Sequence, residues 1–387
     1  MVDRVHDPQF RLSFFERQVM REVTYWGEQT AVKTIEVGTL DRERENILKA
    51  IGFGLAVSPS LAATLWPATR HLIVAFAPYM ERRGLWDAWH TVLERAIAAA
   101  QQVADVAGEI TLTAFLARLS QRQSRGADVV LYYRRVIRLA RRTDNRFELA
   151  RACSNLGFYF VEHERWWRSE VLGCHALALF KDLNSQHGQA HTHNHLGVLY
   201  TRQKRWTEAE GHLLQACSIW RTMSDEYNLA AFGLLNLGVL YVDQKKPKEA
   251  ITSLDVAYHK AKLLGETTMV GRILQNMALA QRLQGAFTDA ETLALQAEQI
   301  AQKYHDTLQL AFVWHNLGLI YIQARQTGQA SEYIGRALQM YRQLGSHYGE
   351  QRLFEELKEL DSVDITLQTF DDSTRVMPTE SNLAKDD

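Results

Sequence analysis

Proline is scarce in this chain of 387 residues: six in all, against 46% hydrophobic and 23% charged residues. That balance excludes a proline-rich or low-complexity polymer and fits an ordinary folded helical protein. Cysteine is scarcer still. Cys153, Cys174 and Cys217 are odd in number and show no C-x-x-C spacing, which argues against a disulfide framework and a zinc knuckle and fits a reducing cytoplasm. Long apolar runs are missing too. Leu72 to Ala77 is far shorter than a membrane span, and Met1 to Arg11 has no apolar signal core, so the expected location is cytoplasmic, with no membrane partner. Excess charge is also absent: a net charge of -1 supplies no global attraction to nucleic acid, so any such contact needs a local patch.

The familiar catalytic signatures are absent as well. There is no G-x-x-x-x-G-K-[ST] phosphate loop, no H-E-x-x-H, no G-x-S-x-G and no glycine-rich dinucleotide turn, so neither an enzyme nor a cofactor is expected. Without the phosphate loop no row of backbone N–H groups is available to hold a triphosphate.

What the chain does have is a repeat. Asn155-Leu156-Gly157, His195-Leu196-Gly197, Asn236-Leu237-Gly238, Asn276-Met277-Ala278 and Asn316-Leu317-Gly318 recur at spacings of 40, 41, 40 and 40. Small residues recur at two fixed offsets downstream, Ser169, Ala209, Ala250, Ala290 and Ala330, then Ala176, Ala216, Ala257, Ala297 and Ala337. Between the halves of each unit lies a polar break such as Gln203-Lys204-Arg205 or Gln284-Gly285, flanked by apolar residues of helical period. Each unit therefore reads as helix, turn, helix, with the small residues marking close helix contacts.

These residues resemble the tetratricopeptide (TPR) signature. Trp314-His315-Asn316-Leu317-Gly318-Leu319-Ile320-Tyr321 matches its first half, W-x2-L-G-x2-Y, at every fixed position. The units exceed the 34-residue TPR and lack its closing proline, so longer helices are expected. Forty-residue repeats of this kind are similar to those of kinesin light chains, Rap-type peptide-sensing regulators and the sensor arms of bacterial STAND NTPases. The resemblance implies an all-α, right-handed superhelix of about seven hairpins, since no hairpin can bury both of its faces alone. Phe76-Ala77 with Ala96, and Leu116-Ala117 with Val136, carry the period back through two diverged units. The expected domains are an N-terminal helical cap over 1–40, the solenoid over 41–360 and an acidic, flexible tail over 361–387, whose Leu367 and Phe370 are candidate anchors for a pseudo-ligand. Within the opening of the solenoid, Leu40 to Ile51 resembles the acidic helix that begins a STAND sensor arm.

By analogy with TPR proteins, Asn155, His195, Asn236, Asn276 and Asn316 face a concave groove, with Arg151, His191, Phe232, Arg272, Phe312 and His315 on the same face. An asparagine can donate to and accept from an extended peptide backbone at once. The alternative is that these amides bond backbone carbonyls of the adjacent hairpin and stabilise the solenoid. His187, His191 and His195 share one helix face at i, i+4 spacing, with zinc and groove lining as the two readings.

From Arg118 to Arg146 nine arginines stand against two aspartates, and Arg134, Arg138 and Arg142 align at i, i+4. This patch is either a solvated face or a seat for an acidic protein or nucleic acid. Trp166-Trp167 at a hairpin turn leaves one tryptophan surplus to packing and available as a contact anchor. The expected function is thus a bacterial adaptor or regulator that binds a protein or peptide. The alternatives are a detached sensor arm serving a separate NTPase or effector subunit, and a scaffold for nucleic acid.

Overall fold

The computed structural model describes residues 8–31, 37–56, 59–123 and 125–360. The tail, with Leu367 and Phe370, lies outside the described residues, as do 1–7 and 32–36 of the N-terminal segment.

The described residues form helices and connecting turns with no strand. Helices α1 (Pro8–Ala31) and α2 (Val37–Leu55) are followed by seven hairpins. In order these pair α3 (Pro59–Arg82) with α4 (Trp86–Gln102), α5 (Val106–Arg122) with α6 (Gly126–Arg142), and α7 (Arg146–Glu162) with α8 (Trp166–Asp182). Next come α9 (Gln186–Arg202) with α10 (Trp206–Thr222), then a first helix assembled from α11 (Glu226–Asn228), a π-helical turn (Leu229–Leu234) and α12 (Leu235–Asp243), paired with α13 (Pro247–Leu263). The last two hairpins are α14 (Thr267–Leu283) with α15 (Phe287–Lys303), and α16 (Thr307–Gln323) with α17 (Thr327–Leu344). Helix α18 (His347–Glu359) follows. It starts one repeat after α16 and so occupies the place of an eighth first helix.

Most hairpin helices are 17 residues long, one to two turns beyond what a shorter repeat would allow, as its length predicted. The turns stop them sharply. Asp144, Glu164, Lys204, Lys245, His305 and Arg325 all adopt φ between 50° and 59°, a left-handed conformation that ends a helix by freeing its last carbonyls for the turn's own N–H groups. At one such turn Arg205 N donates to Tyr200 O at 2.9 Å and Lys204 N to Thr201 O at 3.0 Å.

The recurring small residues do what their spacing implied. Ser169, Ala209, Ala250, Ala290 and Ala330 are buried, and so are Ala176, Ala216, Ala257, Ala297 and Ala337. A Cβ placed on Gly318 would sit 2.6 Å from Ile334 Cγ1 and 3.2 Å from its backbone N. A larger residue there would push Ile334, and α17 with it, away from α16.

The chain divides into two compact units, Met1–Ile219 and Trp220–Asp387. In the first, α1 to α5 share a core built on Trp66, Phe76, Trp89 and Leu93, and Tyr133, Val136, Leu156 and Phe160 continue it into the next hairpins. In the second, Ala311, Ala337 and Tyr341 are buried, with Phe312, Trp314 and Met340 packed on them.

The π-helical turn explains the single 41-residue spacing. Asp225 caps its helix 40 residues after Ser185 caps α9, whereas Asn236 lies 41 after His195. The extra residue is therefore taken up between 225 and 236, where Leu229–Leu234 widens to π geometry and keeps Asn236 in register with its counterparts.

Candidate functional site

All of the predicted groove residues fall on first helices, and the two units use them differently. In the first unit they are turned into packing. Arg151 pairs with Glu148 at 2.7 Å, while burial lowers its pKa against the pull of Glu148. Asn155 lies against the hydroxyl of Tyr133. His195 hydrogen-bonds Ser154 Oγ through Nδ1 at 3.0 Å and stacks on Phe158 at 4.5 Å. Burial drives its pKa down to about 3, so it is a neutral imidazole in the wall.

The histidine run does not converge on one point. His187 and His191 touch ring to ring at 4.5 Å, His193 turns to His212 with Nδ1 atoms 3.0 Å apart, and His195 faces Ser154. Among the described residues no group of three His, Cys, Asp or Glu could hold a metal ion.

In the second unit the predicted residues do converge. Asn276 lies on α14 and its Nδ2 donates to Arg272 O at 2.8 Å within the same helix, while the Arg272 side chain is exposed. Asn316 on α16 reaches sideways, its Nδ2 donating to Gln275 O of the preceding hairpin at 3.3 Å. His315 Nδ1 is hydrogen-bonded to the Tyr341 hydroxyl at 3.2 Å, and Phe312 packs edge-on against Tyr341 at 5.3 Å. Together with Gln275, Leu279 and Leu319, these residues line a small solvent-open pocket whose far side is Arg352 and Glu356 of α18. Phe232 and Asn236 stand apart from it, on the π turn and α12.

Two atoms in this pocket have no hydrogen-bond partner among the described residues: Asn316 Oδ1 and His315 Nε2. Both side chains are only 4% exposed. Burial lowers the His315 pKa to about 4 against the opposing field of Glu356. The pocket thus presents one amide acceptor and one neutral imidazole nitrogen, each costly to leave unbonded.

Helix α18 closes the pocket with a chain of charges. Arg352 Nη2 donates to Asp243 Oδ1 at 3.2 Å, 109 residues away in sequence, and Arg352 Nε to Glu356 Oε1 at 2.8 Å. Arg282 Nη2 donates to Glu356 Oε2 at 2.7 Å, and the Arg282 side chain is 6% exposed. Burial opposes the charge on Glu356, yet Arg352, His315 and Arg282 more than offset it and its pKa falls. Arg352 is likewise held charged by Asp243 and Glu356 against burial. Two cations and two anions cancel, so the pocket wall is polar but neutral. Asp243, Arg282, Arg352 and Glu356 escape a motif search because nothing near them in sequence marks them. One signal was available: Arg352 and Glu356 fall one repeat on from Phe312 and Asn316, in the rows already identified.

The arginine-rich stretch separates into two sets. Arg118 binds Glu81, Arg135 binds Glu109 and Arg146 binds Asp182. Arg134, Arg138 and Arg142 are exposed along α6, without an ion pair among the described residues.

No helix among the described residues is long and apolar enough to cross a membrane. Residues 188–258 and 270–343 match the tetratricopeptide repeat family model. None of the curated proteins matches the sequence. Among solved structures the chain is similar to the apo form of RapI (15% identity, TM-score 0.58, covering 71% of this chain and 98% of that one). It is also similar to a Rap protein complexed with Competence and Sporulation Factor (12%, 0.55, 89% and 98%). A third is the STAND protein with a tetratricopeptide repeat sensor from Pyrococcus horikoshii (13%, 0.54, 83%), of which the chain covers 53%. Helical hairpins at 40-residue spacing and small residues buried at their crossings give the chain an α-solenoid fold, in which residues 188–258 and 270–343 are tetratricopeptide repeats.

Proposed function

We propose that this protein is a non-catalytic regulator or adaptor that binds an extended peptide or protein segment on the first-helix face of its second unit. The observation that carries this reading is the pair of buried, unpartnered atoms, Asn316 Oδ1 and His315 Nε2, beside the solvent-open amides of Asn276 and Gln275. A peptide unit supplies both a donor and an acceptor, which is the complement of that pair when Tyr341 donates to His315 Nδ1 and Nε2 carries the proton. The neutral wall favours an uncharged stretch of ligand, since a charged group there would have to break the Arg352–Glu356 or Arg282–Glu356 pair to gain a partner. A Rap protein of this fold has been solved with Competence and Sporulation Factor, which is consistent with ligand binding on such a scaffold.

The test is selection of random dodecapeptides on the full chain, followed by titration on wild type and on Asn276→Ala. Binding at least about tenfold weaker in the variant, with melting temperature unchanged, is the expected result. Selected peptides that bind both proteins equally refute the pocket.

A second reading rests on the STAND match, whose tetratricopeptide sensor shares this fold: the chain would be the sensor of a separate NTPase or effector. Co-purification of an ATPase with the tagged chain supports it, and its absence from the purified complex counts against it.

A further inference from the structure

One face of α8 carries an apolar stripe that is exposed among the described residues. Trp167, Val171, Cys174 and Ala178 recur at i, i+4, i+7 and i+11 and are all exposed, with Trp167 at 74% and Val171 at 47%. Trp166 is half-buried beside its neighbour, so Trp167 is the tryptophan that hairpin packing does not need.

The equivalent face of α6, one repeat earlier, has Leu131 in the place of Val171, Arg134 in that of Cys174 and Arg138 in that of Ala178. Leu131 is 61% exposed, and Arg134, Arg138, Arg141 and Arg142 are exposed with it. The two faces belong to one surface. Ile137 of α6 and Leu172 of α8 pack on the same core cluster around Ala150, Cys153 and Ala176.

We infer that this face of the first unit is a docking site for an acidic amphipathic helix of a protein partner, seating its apolar side on Trp167, Val171 and Leu131 and its carboxylates on Arg134, Arg138 and Arg142. The composition is that of an interface centre, with tryptophan and arginine together, and Asp182, exposed at the end of α8, is paired with Arg146. Arginines one turn apart, about 6 Å along the helix, match carboxylates spaced i, i+4 on a second helix. Their mutual repulsion is relieved when such a helix binds. The apolar stripe decides against nucleic acid, which would use the arginines but gain nothing from Val171, Cys174 and Ala178.

This surface lies on the outer helices of the first unit and its test is independent of the pocket. A display library of acidic amphipathic helices, with glutamates at i, i+4 and a randomised apolar face, is selected on the full chain. The best binders are then titrated by fluorescence anisotropy in low and high salt. Two exposed-residue variants read the site: Arg134→Glu/Arg138→Glu/Arg142→Glu, and Trp167→Ala. The proposal expects losses of at least about tenfold and about fivefold respectively, with melting temperatures unchanged. It also expects affinity that weakens as salt rises. It is overturned if no library member binds the wild type, if the binders ignore both variants, or if a single-stranded oligonucleotide binds more tightly and is insensitive to Trp167→Ala.

Discussion

His195 in the first unit and Asn316 in the second occupy the same repeat position, and both turn sideways toward the preceding first helix. His195 finds Ser154 and Phe158 and becomes wall. Asn316 finds the Gln275 carbonyl with one end of its amide and leaves the other unbonded beside the pocket. One position thus serves packing in both units, and in the second it also leaves a buried amide oxygen unbonded. A repeat position fixes where a side chain starts, and its neighbours decide what remains of it for a ligand.

The largest effect should come from breaking the clamp that closes the second site. Glu356→Ala strands Arg282 and Arg352 without their shared anion and should cost about 3 kcal/mol, seen as a lowered melting temperature. A retained melting temperature would mean that α18 contributes no more than a surface helix. Next in size is Gly318→Val, which forces α16 from α17 beside Asn316 and should cost about 2 kcal/mol by denaturant unfolding; Gly328→Ala, where nothing lies within 4 Å of the added Cβ, is the control.

Acid should act on both sites. Burial holds His195 at about 3, His193 at about 4 and His315 at about 4, all below the ordinary histidine value of about 6.5. The unfolded chain therefore binds more protons than the folded one between those values. Stability is full above about pH 6.5 and falls as pH drops toward 4, by up to about 1.4 kcal/mol per pH unit for each fully buried group. Urea unfolding at two pH values checks this, and His315→Gln should flatten the slope.

Ser154→Ala removes the partner of His195 and should cost about 1 kcal/mol, whereas Asn276→Ala should leave stability nearly unchanged. Equal costs would erase the distinction between wall and site. The smallest effect is a gain: Lys245 holds φ at 58° in a turn, and Lys245→Gly should add about 0.5 to 1 kcal/mol.

Much of this was legible beforehand. The Asn-Leu-Gly rows and the two small-residue positions located five of the seven hairpins' crossings before any coordinates, because close helix packing tolerates only a few residue types at its contact points. The site was legible in part. Asn276, Phe312, His315 and Asn316 were predicted and do line one pocket, whereas Arg272 does not. Arg352, Glu356, Arg282 and Asp243 were missed, since an ion pair between residues 74 or 109 apart leaves no local pattern.

The sequence by itself determined the helical hairpins and the spacing of their repeats, because periodicity and small-residue spacing act within a turn or two of chain. Tertiary structure decided which polar side chains were consumed in packing and which kept a free atom. That outcome depends on what the neighbouring hairpins bring within 3 Å, and no spacing along the chain encodes it.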